Sequence, residues 1–411
     1  MIRTHSIPCR LSGKEADEMN LESGKVYSKV LVTHWRVLRH SNHWMSSSKA
    51  EKLNDYLLPK TEVLHSHSRD AAQQGFYEAC KVAKACQKAG LDAKYPYHQK
   101  KFRTTIWKTS AIRKKDGIVL LSRRMGMPPI QVELPSHLAD VEIREVRLVF
   151  DKVSNRHNWH VVAEDNILPA ENNGMNVAAI DLGEIHPIAI TDGKDACIIS
   201  CRELRSVANY INKRQKQIID LQSGKKKGSR RWKQLQRRKS KFLAKQKKVR
   251  RDIEHKITRT ATDWCVEHHV KTLAIGDVRD VADKTKVEHR LKKPERKKMS
   301  SWPHGQLRQY LRYKNEANGV VVEDEVNEAY TSQTCLVCGK RTKPTTRTYR
   351  CSCGFVFPRD AVGAANILSR FLHGELGKVR PLDVKYRHPW LRRKRRESVS
   401  PSGTGQVARV A

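Results

Sequence analysis

Along the chain the apolar positions change period several times, and each change predicts a different kind of element. Residues 1–11 alternate apolar and polar and predict an initial strand. Residues 13–100 are rich in Lys, His and Ala at helical spacing and predict a helical insertion. From 102 to 163 the chain turns to β-branched runs broken by turns, TTIWKTSAI, GIVLLSR, IQVELP, EIREVRLVF and WHVVAED. These predict a small antiparallel barrel or sandwich. The segment ILPAENNGMN, with Pro169 and Gly174, interrupts both periods and marks a linker and the main domain boundary.

Beyond it, NVAAIDLGEIHPIAITDG holds two apolar runs joined by a Gly-containing turn, the pattern of a hairpin that opens a second sheet. In the basic stretch 204–268, Trp232, Leu235, Phe242, Val249, Ile253, Ile257, Ala261 and Trp264 recur at spacings of three, four and seven. One helical face is therefore apolar while the others carry Lys and Arg. GKKKGS, 224–229, predicts the turn between two such helices. KTLAIGDV then reads as a buried strand, LRQYLRYKNEA as a helix and GVVVEDEV as another strand. From 379 the period is lost and the chain runs out in Ser, Gly and Arg, which predicts a basic, disordered tail over 379–411.

Composition adds a partner to this outline. The 411 residues suffice for two or three domains with their own cores. Lys and Arg number 81 against 43 Asp and Glu, a formal charge of +38, far more than solubility needs. Nucleic acid is the fitting polyanion, because dispersed cations gain affinity by releasing counterions from a phosphate backbone. Taken alone, the basic helices could be solvated faces without a partner, but the charge of the whole chain favours contacts through Lys225, Lys226, Lys227, Arg230, Arg231, Arg237 and Arg238. Trp232 could stack on a base, although packing between helices is the plainer role. No apolar run reaches the ~18 residues of a membrane span and the first twenty residues lack a signal-peptide core. The expected location is the cytoplasm, associated with the nucleoid, with no membrane partner.

In such a reducing compartment ten cysteines are read for metal rather than disulfides. Cys9, Cys80, Cys86, Cys197, Cys201 and Cys265 are scattered and read as ordinary thiols. Cys335 and Cys338 in TCLVCG, and Cys351 and Cys353 in RCSCG, form two knuckles able to hold Zn²⁺ tetrahedrally, with a glycine after each for the tight turn. Such a site is closed and structural.

Two aspartates complete the candidate chemistry. Asp181 ends an apolar strand and Asp360 opens RDAVGAANILSRFL, a helix. Either alone is an ordinary turn or cap residue. Together they could serve two-metal phosphodiester hydrolysis, which needs carboxylates from different elements to hold cations about 4 Å apart. Gly363 and Ala364 would let the helix approach the sheet.

The blocks AAIDLGEIHPIAITDG, EAYTSQTCLVCG and RCSCGFVFPRDAVGAANI resemble, in order, the first RuvC motif, the zinc ribbon and the third RuvC motif of the TnpB (OrfB) family of transposon-encoded RNA-guided endonucleases. The segment ending DIEHKITRTATDW resembles the stretch before the family's second motif. The resemblance spans about 175–370; the N-terminal half is similar in kind, a β domain with a helical insertion like the family's wedge and recognition parts.

It implies an α/β chain whose RNase H-like RuvC nuclease domain (175–334 and 354–378, with the basic segment 204–268) contains a zinc-ribbon insertion at 335–353. A β-barrel, wedge-like domain (1–11 and 101–170) with a helical insertion at 12–100 precedes it. It further implies Mg²⁺ at Asp181, Asp360 and a third acidic residue, a guide RNA from the transposon end, double-stranded target DNA, and a separately encoded transposase in the same element.

The third acidic residue departs from the pattern. Where the family has a Glu in a sequence like IEDL, this chain has IGDV, with Gly276 in its place. Asp277 is adjacent but, by strand alternation, faces the other way unless a bulge intervenes. Glu328 in VNEAYTS matches the relocated acidic position of a TnpB subgroup related to the Fanzor proteins and to compact type V CRISPR effectors. Glu184, Glu323 and Glu325 are weaker candidates. The function implied is RNA-guided DNA cleavage with Mg²⁺. Its rivals are a nuclease-dead, RNA-guided DNA-binding repressor and a transposase acting directly in recombination.

Overall fold

The computed structural model describes residues 2–57, 63–164, 168–277 and 302–390. The chain divides into two units, Met1–Ile167 and Leu168–Ala411.

In the first unit, β1 (Ile2–Pro8) pairs antiparallel with β7 (Arg156–Glu164), which pairs with β6 (Glu142–Asp151) and through it with β2 (Thr105–Lys108). A second sheet holds β3 (Ile112–Lys115), β4 (Ile118–Leu121) and β5 (Ile130–Glu133). Alternate residues of both sheets, among them Val119, Leu121, Val132, Val146, Leu148 and Val161, enclose one core with Trp107 and Trp159 edge to face at its centre. Between β1 and β2 come α1 (Gly13–Ser41), α2 (Ser47–Leu57) and α3 (Ser66–Lys88). The Ser12 hydroxyl accepts the Glu15 N–H and starts α1. Tyr27, Val30, Leu31, Phe76 and Tyr77 form the separate core of these helices.

The second unit is built on a six-stranded mixed sheet. β8 (Asn176–Asp181), β9 (Ile188–Thr191) and β10 (Asp195–Ile199) form an antiparallel meander. β11 (Val270–Gly276) lies parallel to β8, and β12 (Val321–Val326) parallel to β11. This mixed α/β sheet agrees with the fold class expected from the sequence. Its sixth strand, β15 (Asp383–Arg387), adds parallel to β10. That corrects the expected disordered tail: 383–387 is an ordered edge strand, while 391–411 lies outside the described residues.

Between β10 and β11 run α4 (Arg202–Ser223) and α5 (Arg230–Glu267). Ile253, Ile257, Ala261 and Trp264 of α5 are buried in one sheet face, together with Leu307 and Leu311 of α6 (His304–Glu316). The stripe does not stay buried along all of α5: Val249 is exposed, and no residue of 236–252 is buried. On the opposite face lies α7 (Arg359–His373), with Ile367 and Leu368 against Ala179 and Ala274. Strand alternation sorts the two faces, since Ile180, Leu273 and Ile275 join the core beneath α5 and α6. The hairpin β13 (Thr348–Arg350) and β14 (Val356–Pro358) precedes α7.

Candidate catalytic and metal sites

Asp181 follows Ile180 at the end of β8, so it turns toward α7 with Ala179. Helix α7 carries Asp360 in its first turn, where the helix dipole favours a carboxylate. Close approach depends on Gly363: a Cβ there would stand 2.2 Å from Asp181 Oδ2. Ala361 and Ala364 continue the small face, packed on Ala189 and Ala196.

The third carboxylate arrives from outside the sheet. Gly276 ends β11 on the α7 side, two residues after Ala274. A Cβ at 276 would lie 1.9 Å from Glu328 Oε1 and 2.6 Å from both Glu328 Cγ and Cδ. The Glu328 side chain therefore fills the volume that any side chain at 276 would need. A bulge between Ala274 and Gly276 shifts the β11–β12 register just before this point.

Asp277 is drawn to the other side. Its carboxylate meets Arg308 Nη1 of α6 at 3.3 Å, and its N–H donates to Val326 O at 2.8 Å. Arg308 also pairs with Asp324 at 3.2 Å. Glu323 and Glu325 are exposed on β12, and Glu184 pairs with Arg205 at 3.5 Å.

Burial pushes the Glu328 carboxyl up to about 9, helped by the charges of Asp181 and Asp277 and opposed by Arg308. Burial, then the charge of Asp360, pushes Asp181 up to about 7, with Arg359 opposing. Glu328 Oε1 is closed off from solvent and accepts no hydrogen bond. Asp360 is braced instead, by His186 Nδ1 at 2.6 Å and Arg347 Nη1 at 3.4 Å. Carboxylates that feel one another's charge, one with an orphaned buried oxygen, are hard oxygen donors of the type Mg²⁺ takes, although among the described residues only the four cysteines bring their ligand atoms together as closely as a bound metal needs. Sequence reasoning missed His186 and Arg347. His186 sits inside the first motif, in GEIHP, but nothing local announces a partner 174 positions away.

The four cysteines converge more tightly. Cys335 and Cys353 sulfurs are 3.6 Å apart, Cys338 and Cys351 3.4 Å, and all four lie within 4.8 Å of one another. A tetrahedron of ~2.3 Å Zn–S bonds has edges of roughly 3.8 Å, so the sulfurs fit zinc. Gly339 (φ 68°) and Gly354 (φ 87°) turn the two knuckles through the left-handed region. The Cys353 N–H is the main cause that lowers the Cys351 thiol to about 6. Tyr349, Leu336 and Phe355 pack the ribbon onto Val362 and Ala365 of α7.

Lys225, Lys226, Lys227, Arg230, Arg231, Arg237 and Arg238 are all exposed, at the α4–α5 turn and along the first turns of α5. Trp232 is half-buried there, its carbonyl facing Gln222. Among the described residues no helix is long and apolar enough to cross a membrane.

The fold resembles that of a Cas12f1 chain. It matches a chain of the cryo-EM structure of the Cas12f1–sgRNA–target DNA complex with a TM-score of 0.57 at 12% identity, covering 85% of this chain and 81% of that one. The mini-RNA-guided endonuclease CRISPR-Cas_phi3 aligns over 92% and 94% of the two chains, with a TM-score of 0.48 and 9% identity. In sequence, residues 144–282 match the OrfB_IS605 family, described as "Probable transposase", and 304–367 match the Cas12f1-like TNB domain. These matches show the resemblance to the OrfB (TnpB) family that the motifs imply. A curated relative, "Putative transposase A625R" of Paramecium bursaria Chlorella virus 1, is 30% identical over 126 residues. That alignment spans 30% of this chain and 29% of the viral protein.

Proposed function

We propose that this chain is an RNA-guided DNA endonuclease that hydrolyses phosphodiester bonds with Mg²⁺ held by Asp181, Glu328 and Asp360. The observation that carries the reading is the Glu328 carboxylate standing in the space above Gly276, on the side of the sheet that Asp181 faces. When bound, the cations supply activation of water and charge neutralisation at the leaving oxygen. The chain's own part is to hold the ligands. Asp181 is fixed by the sheet, Asp360 by His186 and Arg347, and Glu328 by the segment leading to the zinc ribbon. The exposed cations of α4 and α5 would follow guide RNA and displaced DNA by their phosphates.

The test is cleavage of a plasmid library by the purified protein–RNA complex with Mg²⁺. Cutting by the parent that is lost in Glu328→Ala, with DNA binding kept, supports the reading. Binding without cutting by the parent would leave the repressor in its place. The names of the family and of the viral relative favour one further reading, direct strand transfer. Excision by this chain with no partner enzyme would establish it.

A further inference from the structure

Glu328 is not on the central sheet, and its support can be traced bond by bond. After β12 the sheet's last hold is the Asp277 N–H on Val326 O. From there the backbone carbonyls are taken by other groups. Arg370 of α7 donates to Asn327 O, and Thr331 donates to Glu328 O through its N–H at 3.2 Å and its hydroxyl at 2.9 Å. Thr331 O and Thr334 O both receive Asn366 Nδ2, at 2.7 and 2.8 Å. Gln333 O receives the Thr342 N–H at 2.8 Å and the Tyr349 hydroxyl at 3.1 Å, both from the ribbon. Cys335, the first knuckle sulfur, comes next.

Asn366 is fully buried on α7, the helix that also carries Asp360, and its Oδ1 accepts the Gly377 N–H at 2.8 Å. Tyr330 holds φ at +66°, a conformation unfavourable for a bulky side chain that persists only where its surroundings fix it. Arg341 of the ribbon covers its ring at 3.5 Å.

Resting on the carboxylate reading above, we propose that Asn366 and the four-cysteine ribbon are the positioning elements of Glu328. The third carboxylate is mounted on α7 and the ribbon, whereas Asp181 is mounted on the sheet. An acidic residue restored at 276 would stand on β11 and need neither support. The three atoms nearest a Cβ at 276 all belong to the Glu328 side chain beyond its Cβ, so truncating Glu328 to Ala removes them.

The experiment compares full-length parent, Asn366→Ala, Asn366→Asp and Cys338→Ser, each with and without the pair Gly276→Glu, Glu328→Ala, and adds Glu328→Gln in the parent background alone. Asn366→Asp keeps the side-chain shape but removes the two donors. Mn²⁺ binding is read by electron paramagnetic resonance, and amide exchange is followed across 328–334, with β8 and β11 as controls of folding. The expected result is roughly 10–100-fold weaker Mn²⁺ binding in both Asn366 variants and in Cys338→Ser, the range for losing a group that orients a ligand. Exchange should speed up at 328–334 and not in β8 or β11. In the Gly276→Glu, Glu328→Ala background the same substitutions should leave Mn²⁺ binding unchanged.

Equal weakening in both backgrounds overturns the proposal, as does unchanged exchange at 328–334. Glu328→Gln binding Mn²⁺ as tightly as the parent overturns the carboxylate reading itself, a failure distinct from that of the mount.

Discussion

At the scale of single residues, the pair Gly276 and Glu328 holds the most information. Two side chains cannot share that volume, so the absence of one and the presence of the other are a single fact. The carboxyls also make a pH prediction. Asp181 and Glu328 titrate above ordinary carboxyls, at about 7 and about 9. The folded chain therefore keeps protons that the unfolded chain has already lost from roughly pH 4 upward. In magnesium-free buffer their contribution to stability is full below that point and lost as pH rises through about 9. Glu328→Gln should flatten the fall, gaining on the parent in denaturant titrations as pH increases. A parallel pair of stability curves would refute it.

The convergence of the four cysteines was legible from their paired knuckles, and Asp181 and Asp360 stood out as candidates because carboxylates occupied a strand end and a helix start. Glu328 became a candidate only through the missing acid at Gly276, and the structure puts its side chain in the space beside that glycine. His186 and Arg347 were not legible, because their tie to Asp360 exists only once β8, the ribbon and α7 are packed.

At the scale of elements, helix α7 decides whether the carboxylates can meet. It lies on a floor of small residues, Ala179, Ala189 and Ala274, and offers Gly363 to Asp181. Gly363→Ala places a methyl where Asp181 Oδ2 stands and should cost about 1–3 kcal/mol, the range for overpacking a core. Mn²⁺ affinity should fall with it. Urea denaturation and Mn²⁺ titration check both, and a variant as stable and as tight as the parent would refute the role given to that contact. Ala364→Gly, which only removes atoms, should lower stability without moving Asp181.

The amphipathic period exposed α5 and the two sheets because one face of each is apolar. β15 escaped because DVKYR is short and charged and sits at a sheet edge, where Lys and Asp are tolerated and even protective. Its partner strand β10 supplies the apolar face, and no window of the tail alone could reveal that.

At the scale of the molecule, charge and metal separate into different jobs. The net charge of +38 points to a polyanionic partner but says nothing of where it would lie. The exposed run at the α4–α5 turn and on the first turns of α5 gives a place to look. Replacing Lys225, Lys226, Lys227, Arg230, Arg231, Arg237 and Arg238 by Gln removes seven cations that face solvent and hold no part of a core. If each one neutralises a phosphate, the slope of log K against log salt for single-stranded RNA should shrink by about 5, at ~0.7 per phosphate. Thermal stability should hardly change, since exposed charges contribute within about 0.5 kcal/mol each.

Filter binding across a salt series reads the slope directly. An unchanged slope would return these side chains to the role of a solvated helix face and move the nucleic acid to another surface. Mn²⁺ binding at the carboxylates should be indifferent to the same substitutions, because cations at the α4–α5 turn and the first turns of α5 make no contact with Asp181, Glu328 or Asp360. A shift in both measurements at once would mean that the helices and the carboxylates form one site, and a shift in the slope alone that binding and cleavage are separable.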